Sequence, residues 1–244
     1  MNVSATKASS RLTARGVATR TRIVAAAADL VNIHGAGGTS LDEVMARSGV
    51  SKSQLYHYFA DKDALVREVI TLQTQRVLGF QRMNLEPLDS LSALIRWRYA
   101  IVVANATANS RGGCPLGSLA NELADRSEPA RDVLAESFEH WETLLADGLQ
   151  AIADRGGFST DADVHDIAAA MLAAIQGGLL LAKTTRNTRP LELALDMAVD
   201  HVSRHMLGVG SGWGRNDTLS VCLRGPKIFA GQQDMRPAQR RDVG

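Results

Sequence analysis

At 244 residues and 45% hydrophobic content, the chain has length for one large or two small domains and enough apolar mass for a real core. Aromatics make up only 5% while alanine and leucine are frequent, and no alternating β-branched run bounded by hairpin turns occurs, so a sheet-built core is excluded and an all-α fold expected. A net charge of +1 speaks against nucleic acid only until its distribution is considered: basic residues outnumber acidic ones by four over residues 1–76 and fall short by three over residues 77–244.

Residues 1–17 read as a flexible basic N-terminal arm. Arg11, Arg15, Arg20 and Arg22 suit phosphates flanking a groove, the plainer alternative being that Arg11 and Arg15 belong to a disordered tail. From Thr21 to Val31 the residues Ile23, Ala27, Leu30 and Val31 share one helical face, and Gly35 beyond them suits a C-cap. Ser40 then opens a short helix, and Glu43 three residues on completes a capping box. Leu41, Val44 and Met45 form the buried stripe of that helix. Gly49 supplies the positive φ that ends it, Val50 turns into the core, and Ser51 caps the next helix.

In this next helix Leu55, Tyr58 and Phe59 face inward, while Lys52 and Tyr56, and Ser53 and His57, are i, i+4 pairs on the opposite side. Two short helices around a three-residue turn make a helix-turn-helix, whose second helix enters the major groove with its leading residues at base edges. Gln54 and Ser53 suit hydrogen bonds to bases, whereas Lys52, Tyr56, His57 and Lys62 suit phosphate oxygens. Ser40 and Ser51, at the two helix starts, complete the expected DNA-contact set. The plainer reading is a helical hairpin with a solvated polar face, against which stand two aromatics on the exposed or half-exposed side.

The run Ser51-Lys52-Ser53-Gln54-Leu55-Tyr56-His57-Tyr58-Phe59, followed by Ala60-Asp61-Lys62-Asp63-Ala64-Leu65, resembles the signature of the TetR family of repressors. In that family the recognition helix ends in Leu-Tyr-x-x-Phe before a Lys-acidic-x-Leu start of the next helix. Thr21 to Val31 is similar to the family's first helix, and the resemblance is strongest over residues 18–70. It implies a three-helix helix-turn-helix bundle over residues 18–64 and a helical effector-binding and dimerisation domain over residues 65–207. It also implies a palindromic double-stranded DNA operator, a homodimer through the last two long helices, a small-molecule effector and no cofactor.

Beyond the motif, a long helix starts at Asp61 and runs through Leu65, Val69, Leu72 and Val77 toward Phe80, a lever out of the DNA-binding bundle. Pro87 breaks the chain, and a helix follows from Leu88 to about Ala108. Arg111-Gly112-Gly113 is a loop, Cys114-Pro115 starts a short helix to Ala124, and Glu128-Pro129 starts another to Arg155. Two helices close the pattern, near Asp163 to Asn187 and Pro190 to Leu207. Ala169, Ala170, Ala173, Ala174, Gly177 and Gly178, with Leu179 to Leu181, suit a close dimer contact, the alternative being an internal core helix. Residues 208–244 carry no apolar period and are expected to be disordered.

The resemblance puts a ligand pocket among the C-terminal helices, with Trp97, Tyr99, Cys114, Phe138, Trp141, Met171, Gln176 and Lys183 as candidates, although most aromatics at helical spacing are simply core. Cys114 sits at a helix start, where the macrodipole lowers a thiol pKa, and some electrophile-responsive members of the family resemble its Gly-Cys-aliphatic setting. With Lys183 against it, its oxidation or alkylation would shift the helices; the alternative is a small buried hydrophobe beside a solvated lysine. Cys114 and Cys222 have no metal or disulfide spacing and suit a reducing cytoplasm. The longest apolar stretch, Ala168 to Ala182, is shorter than the ~20 residues of a membrane helix, and a secretory leader is absent.

No catalytic constellation supports an enzyme. Asp161, Asp163, His165 and Asp166 serve a helix start, His201 and His205 lack the adjacent glutamate of a zinc protease, and Gly177-Gly178 follows no strand. No metal site is expected. An architectural DNA-binding protein, the other competing class, would spread basic charge over both ends.

Overall fold

The computed structural model describes residues 12–159 and 161–207. Among them are nine helices: α1 (Ala14–Gly38), α2 (Leu41–Ser48), α3 (Lys52–Tyr58), α4 (Lys62–Leu85), α5 (Leu91–Thr107), α6 (Pro115–Leu123), α7 (Glu128–Ala153), α8 (Val164–Thr185) and α9 (Arg189–His205). The only β interaction among the described residues is an isolated bridge between Phe158 and Met206. The fold is all-α, as composition requires. Residues 1–11, with Arg11, and residues 208–244, with Cys222, lie outside the described part, and so does the tail expected to be disordered.

The chain forms two compact units. Among the described residues the first holds those from Leu12 to Thr74 together with Ser118–Ala135. Its core is built where apolar positions recur at helical spacing: Ile23, Ala27, Leu30 and Val31 of α1, Val44 of α2, Leu55 of α3, Phe59, and Leu65, Val66, Val69 and Ile70 of α4 are all buried. Helix α1 begins earlier than the sequence suggests. Thr13 Oγ1 accepts from Gly16 N at 3.2 Å and caps it, so residues 14–17 are helical rather than part of an arm. At its other end Gly35 adopts φ 77°, a conformation open to glycine, and the helix kinks into a last turn over Ala36–Gly38.

Among the described residues the second unit holds Gln75–Gly117 and those from Glu136 to Leu207. Trp97, Ile101, Leu145, Leu149, Met171, Ile175, Leu191, Leu195 and Val199 are buried in it. Trp97 Nε1 donates to Gln81 Oε1 at 2.7 Å, which satisfies an indole that burial would otherwise penalise. Arg98, itself buried, holds Asp196 of α9 with Nη2–Oδ1 at 2.8 Å. Helices α8 and α9 pack closely because Gly178 has no side chain: a β-carbon there would stand 2.9 Å from Leu191 Cδ1. Gly178, expected at a dimer contact, therefore serves packing inside the chain.

Helix α8 has 22 residues, longer than the apolar stretch inside it, and by length and composition alone it is long enough to cross a bilayer. A core helix meets the same criterion, and Ile167, Ala168, Met171, Ile175 and Ala182 of α8 are buried in the protein.

Candidate nucleic-acid interface

Helices α2 and α3 are specified locally at every boundary. Ser40 Oγ accepts from Glu43 N at 3.2 Å while Glu43 Oε2 accepts from Ser40 N at 2.9 Å, closing the expected capping box. These hydrogen bonds from the Ser40 backbone and hydroxyl hold the Glu43 carboxyl below its ordinary pKa. Gly49 stops α2 at φ 66°, its N–H donating to Met45 O. Arg22 Nε donates to Ser48 O at 2.8 Å and ties the end of α2 to α1.

Helix α3 has a second capping box. Ser51 Oγ accepts from Gln54 N at 3.3 Å, and Gln54 Oε1 accepts from Ser51 N at 3.0 Å. The reciprocal half is legible in the sequence as the spacing Ser-x-x-Gln. Leu55 is fully buried and Phe59 nearly so, while Lys52, Ser53, Gln54, Tyr56 and His57 are exposed and Tyr58 is half-buried. One helix thus carries an anchored apolar face and an opposite face of donors, hydroxyls and aromatic edges. The Tyr56 side chain, 46% exposed, is not needed by the core. Ser40 and Ser51 are exposed too, but their hydroxyls are committed to the caps.

Not every expected cation is free. Arg20 pairs with Glu68 and stacks its guanidinium 5.5 Å from the centre of the Phe59 ring, so its role, like that of Arg22, is to brace the bundle. Arg15 is exposed. Lys62 Nζ donates to Gly37 O at 3.3 Å. Glu122 of α6, unmarked in the sequence, accepts from Ala36 N at 2.8 Å and from Gly37 N, filling the place where a side chain on Gly35 would stand. Backbone donors left over at a kinked helix end are answered by a carboxylate 86 residues away, a pairing that local sequence spacing does not signal.

In the second unit the candidate pocket residues separate. Cys114, Gln176 and Lys183 come together: a β-carbon at Gly117 would meet Gln176 Oε1 at 2.6 Å and Cys114 Cβ at 3.5 Å, and one at Gly113 would meet Lys183 Cδ at 3.2 Å. The expectation of a thiolate at Cys114 is corrected. Burial pushes the thiol above its ordinary pKa, and the Gly117 N–H, donating to Sγ at 3.4 Å, opposes this only in part. Trp97 is a satisfied core residue bonded to Gln81, Met171 is buried, and Phe138 and Tyr99 are half-buried. Among the described residues Trp141 Nε1 is buried with no hydrogen-bond partner, whereas the Gln176 side chain hydrogen-bonds the Cys114 thiol. A surface recess lined by Ser110, Arg186, Asn187, Thr188, Arg189 and Glu192 includes none of the expected pocket residues. Among the described residues no cluster of His, Cys, Asp and Glu suits a metal ion.

Known proteins resemble this chain over both parts. The profile for bacterial regulatory proteins of the tetR family matches residues 23–69, and the tetracyclin repressor-like C-terminal domain profile matches residues 87–198. The HTH-type transcriptional regulator YxaF of Bacillus subtilis is 29% identical over 187 residues, covering 75% of this chain and 93% of its own. The HTH-type transcriptional regulator Rv0196 of Mycobacterium tuberculosis is 29% identical over 71% of this chain and 89% of its own. The fold is similar to a TetR transcriptional regulator from Chloroflexus aurantiacus, with a TM-score of 0.69 at 24% identity over 80% of this chain and 98% of that one.

Proposed function

Since the chain belongs to the TetR family of transcriptional regulators and is not an enzyme, we propose that it is a cytoplasmic repressor that binds a palindromic operator as a homodimer and leaves it when a small molecule occupies its C-terminal helices. The observation that carries the DNA half is α3, anchored by Leu55 and capped at its start, with Lys52, Ser53, Gln54, Tyr56 and His57 left exposed on its outer side. Gln54 and Ser53 read bases, and Lys52, Tyr56, His57 and Lys62 hold phosphates. Residues 18–64 form the DNA-binding domain and residues 65–207 the effector and dimer domain in this reading.

Two such helices on a twofold axis meet half-sites about 34–36 Å apart, so an effector that changes their spacing by a few ångströms weakens the fit. The effector half is supported by the orphaned donor of Trp141, a buried group that a bound acceptor would satisfy. A neutral, buried Cys114 favours reversible binding over attack by a thiolate on an electrophile.

Selection from a random duplex pool, followed by gel shift with the chain's own upstream DNA, tests the proposal. A selected palindrome, weakened on all sequences by Lys52→Ala but in base choice by Gln54→Ala, supports it. Failure to select any duplex removes it. Release by a quinone that persists in Cys114→Ser excludes the thiol as sensor.

A further inference from the structure

The kinked end of α1 is backbone with little shape of its own. Gly35, Gly37 and Gly38 make up most of it, and glycine adopts either sign of φ with similar ease, so the direction of each peptide there is set by outside partners. Those partners come from three places. Thr39 Oγ1 donates to Gly35 O at 2.8 Å, Glu122 of α6 accepts from Ala36 N at 2.8 Å and from Gly37 N, and Lys62 Nζ donates to Gly37 O at 3.3 Å. The space beside the kink is filled by the carboxylate: a β-carbon on Gly35 would stand 2.9 Å from Glu122 Oε2, and one on Gly37 3.0 Å from Oε1. Gly37 is thus held by Glu122 through its N–H and itself holds Lys62 through its carbonyl.

Lys62 opens α4, and among the described residues no carboxylate forms an ion pair with it. Its ammonium carries three hydrogens. One goes to Gly37 O, which leaves two, and an unpaired charge, for phosphate oxygens. A lysine side chain gives up rotamer freedom when it is fixed on a phosphate, and one already tied to a carbonyl has given up part of that freedom beforehand. On the premise that Lys62 holds a phosphate, as proposed above, we infer that Glu122 is a positioning residue for DNA binding: through Gly37 it fixes the carbonyl that holds the Lys62 ammonium ready for the DNA backbone. An acidic side chain outside the helix-turn-helix supports a cationic contact at its edge.

Charge alone predicts the opposite, because removing a carboxylate from a DNA-binding protein lessens its repulsion of phosphates and favours binding. The test uses the full chain and the duplex it selects from a random pool, with affinity read by fluorescence anisotropy between about 50 and 200 mM salt. Each variant is assayed where circular dichroism shows its helices intact. Lys62→Ala should bind more weakly, and its log affinity should fall less steeply with log salt, by about one unit of slope per bound chain. Glu122→Ala should weaken binding and flatten the slope in the same direction, with base choice in a second selection unchanged. In the Lys62→Ala background it should alter neither quantity further. Glu122→Gln, whose amide oxygen still accepts one of the two N–H groups, keeps the test readable if the alanine variant does not fold: its loss should be smaller and should again vanish without Lys62. Losses from Glu122→Ala and Lys62→Ala that simply add, with the wild-type slope kept in Glu122→Ala, overturn the inference and leave Glu122 as a brace of the fold. Wild-type or tighter binding by a folded Glu122→Ala overturns it as well. A Lys62→Ala chain with the wild-type slope is a different failure, since it removes Lys62 from the phosphate contacts. A wild-type chain that selects no duplex removes DNA binding itself, and either result takes this inference with it.

Discussion

A cysteine at a helix start invites the idea of an activated nucleophile, and Cys114 shows why position alone does not decide. The dipole of α6 and the Gly117 N–H both favour a thiolate, but the side chain is 7% exposed, and removing a charge from water outweighs these partial charges. For an acid whose folded pKa is raised, the benefit of keeping it neutral is complete below the unfolded value, near 9.0, and is lost as pH rises through the folded one. In a Cys222→Ser background, iodoacetamide should label Cys114 at least about tenfold more slowly in the native chain than in the guanidinium-unfolded chain at the same neutral pH, read by mass spectrometry. Equal rates would mean that the sulfur is open to solvent, and would return electrophile sensing to consideration.

At the scale of the element, the caps govern α2 and α3, which are too short to stand by propensity. The Glu43 carboxyl is held below its ordinary value of 4.5 by Ser40, so its contribution is present above 4.5 and disappears as pH falls through the depressed value. Glu43→Gln should be less stable than wild type at pH 7, and the gap should close below pH 4.5, measured by urea unfolding at each pH; a gap independent of pH would assign it to something other than the carboxylate. The Glu122 clamp makes a second test. Removing it in Glu122→Ala strands the Ala36 and Gly37 N–H groups at the kink and should cost about 1–2 kcal/mol, with Glu122→Gln losing less because its amide oxygen still accepts one of the two. Unchanged unfolding in both variants would show that water replaces the carboxylate without loss. These two devices also mark what a sequence discloses. Ser40, Glu43, Gly49 and Ser51 act within a few residues of themselves, so the boundaries of the helix-turn-helix are legible in the sequence; of its expected inward residues Val44, Leu55 and Phe59 are buried, while Leu41, Met45 and Tyr58 are only half-buried. The roles of Arg20, Arg22 and Glu122 depend on partners 48, 26 and 86 positions away, and only folding brings Gly113 against Lys183.

For the whole molecule the decisive quantity is how many copies act together. The outward faces of α8 and α9 expose Leu180, Leu181 and Leu193 at about half their surface and Met197 at 67%, alongside the small exposed residues Ala170, Ala173 and Gly177. Large apolar side chains spaced i, i+4 on α9 beside a small-residue stripe on α8 cost free energy in water and recover it when a like surface covers them. A charge placed at the most exposed of them, Met197→Glu, would be buried without a partner in a dimer and solvated in a monomer, so it should shift the equilibrium toward the single chain by more than an order of magnitude. Sedimentation equilibrium should then give about 26.1 kDa where the proposed wild-type dimer should give twice that, with the helical circular dichroism retained because the substituted side chain points away from the core. Affinity for the full palindrome should fall with the loss of the second recognition helix, while weak binding to an isolated half-site survives, since α3 and its caps are untouched. A Met197→Glu chain that remains a dimer would move the twofold contact to another face.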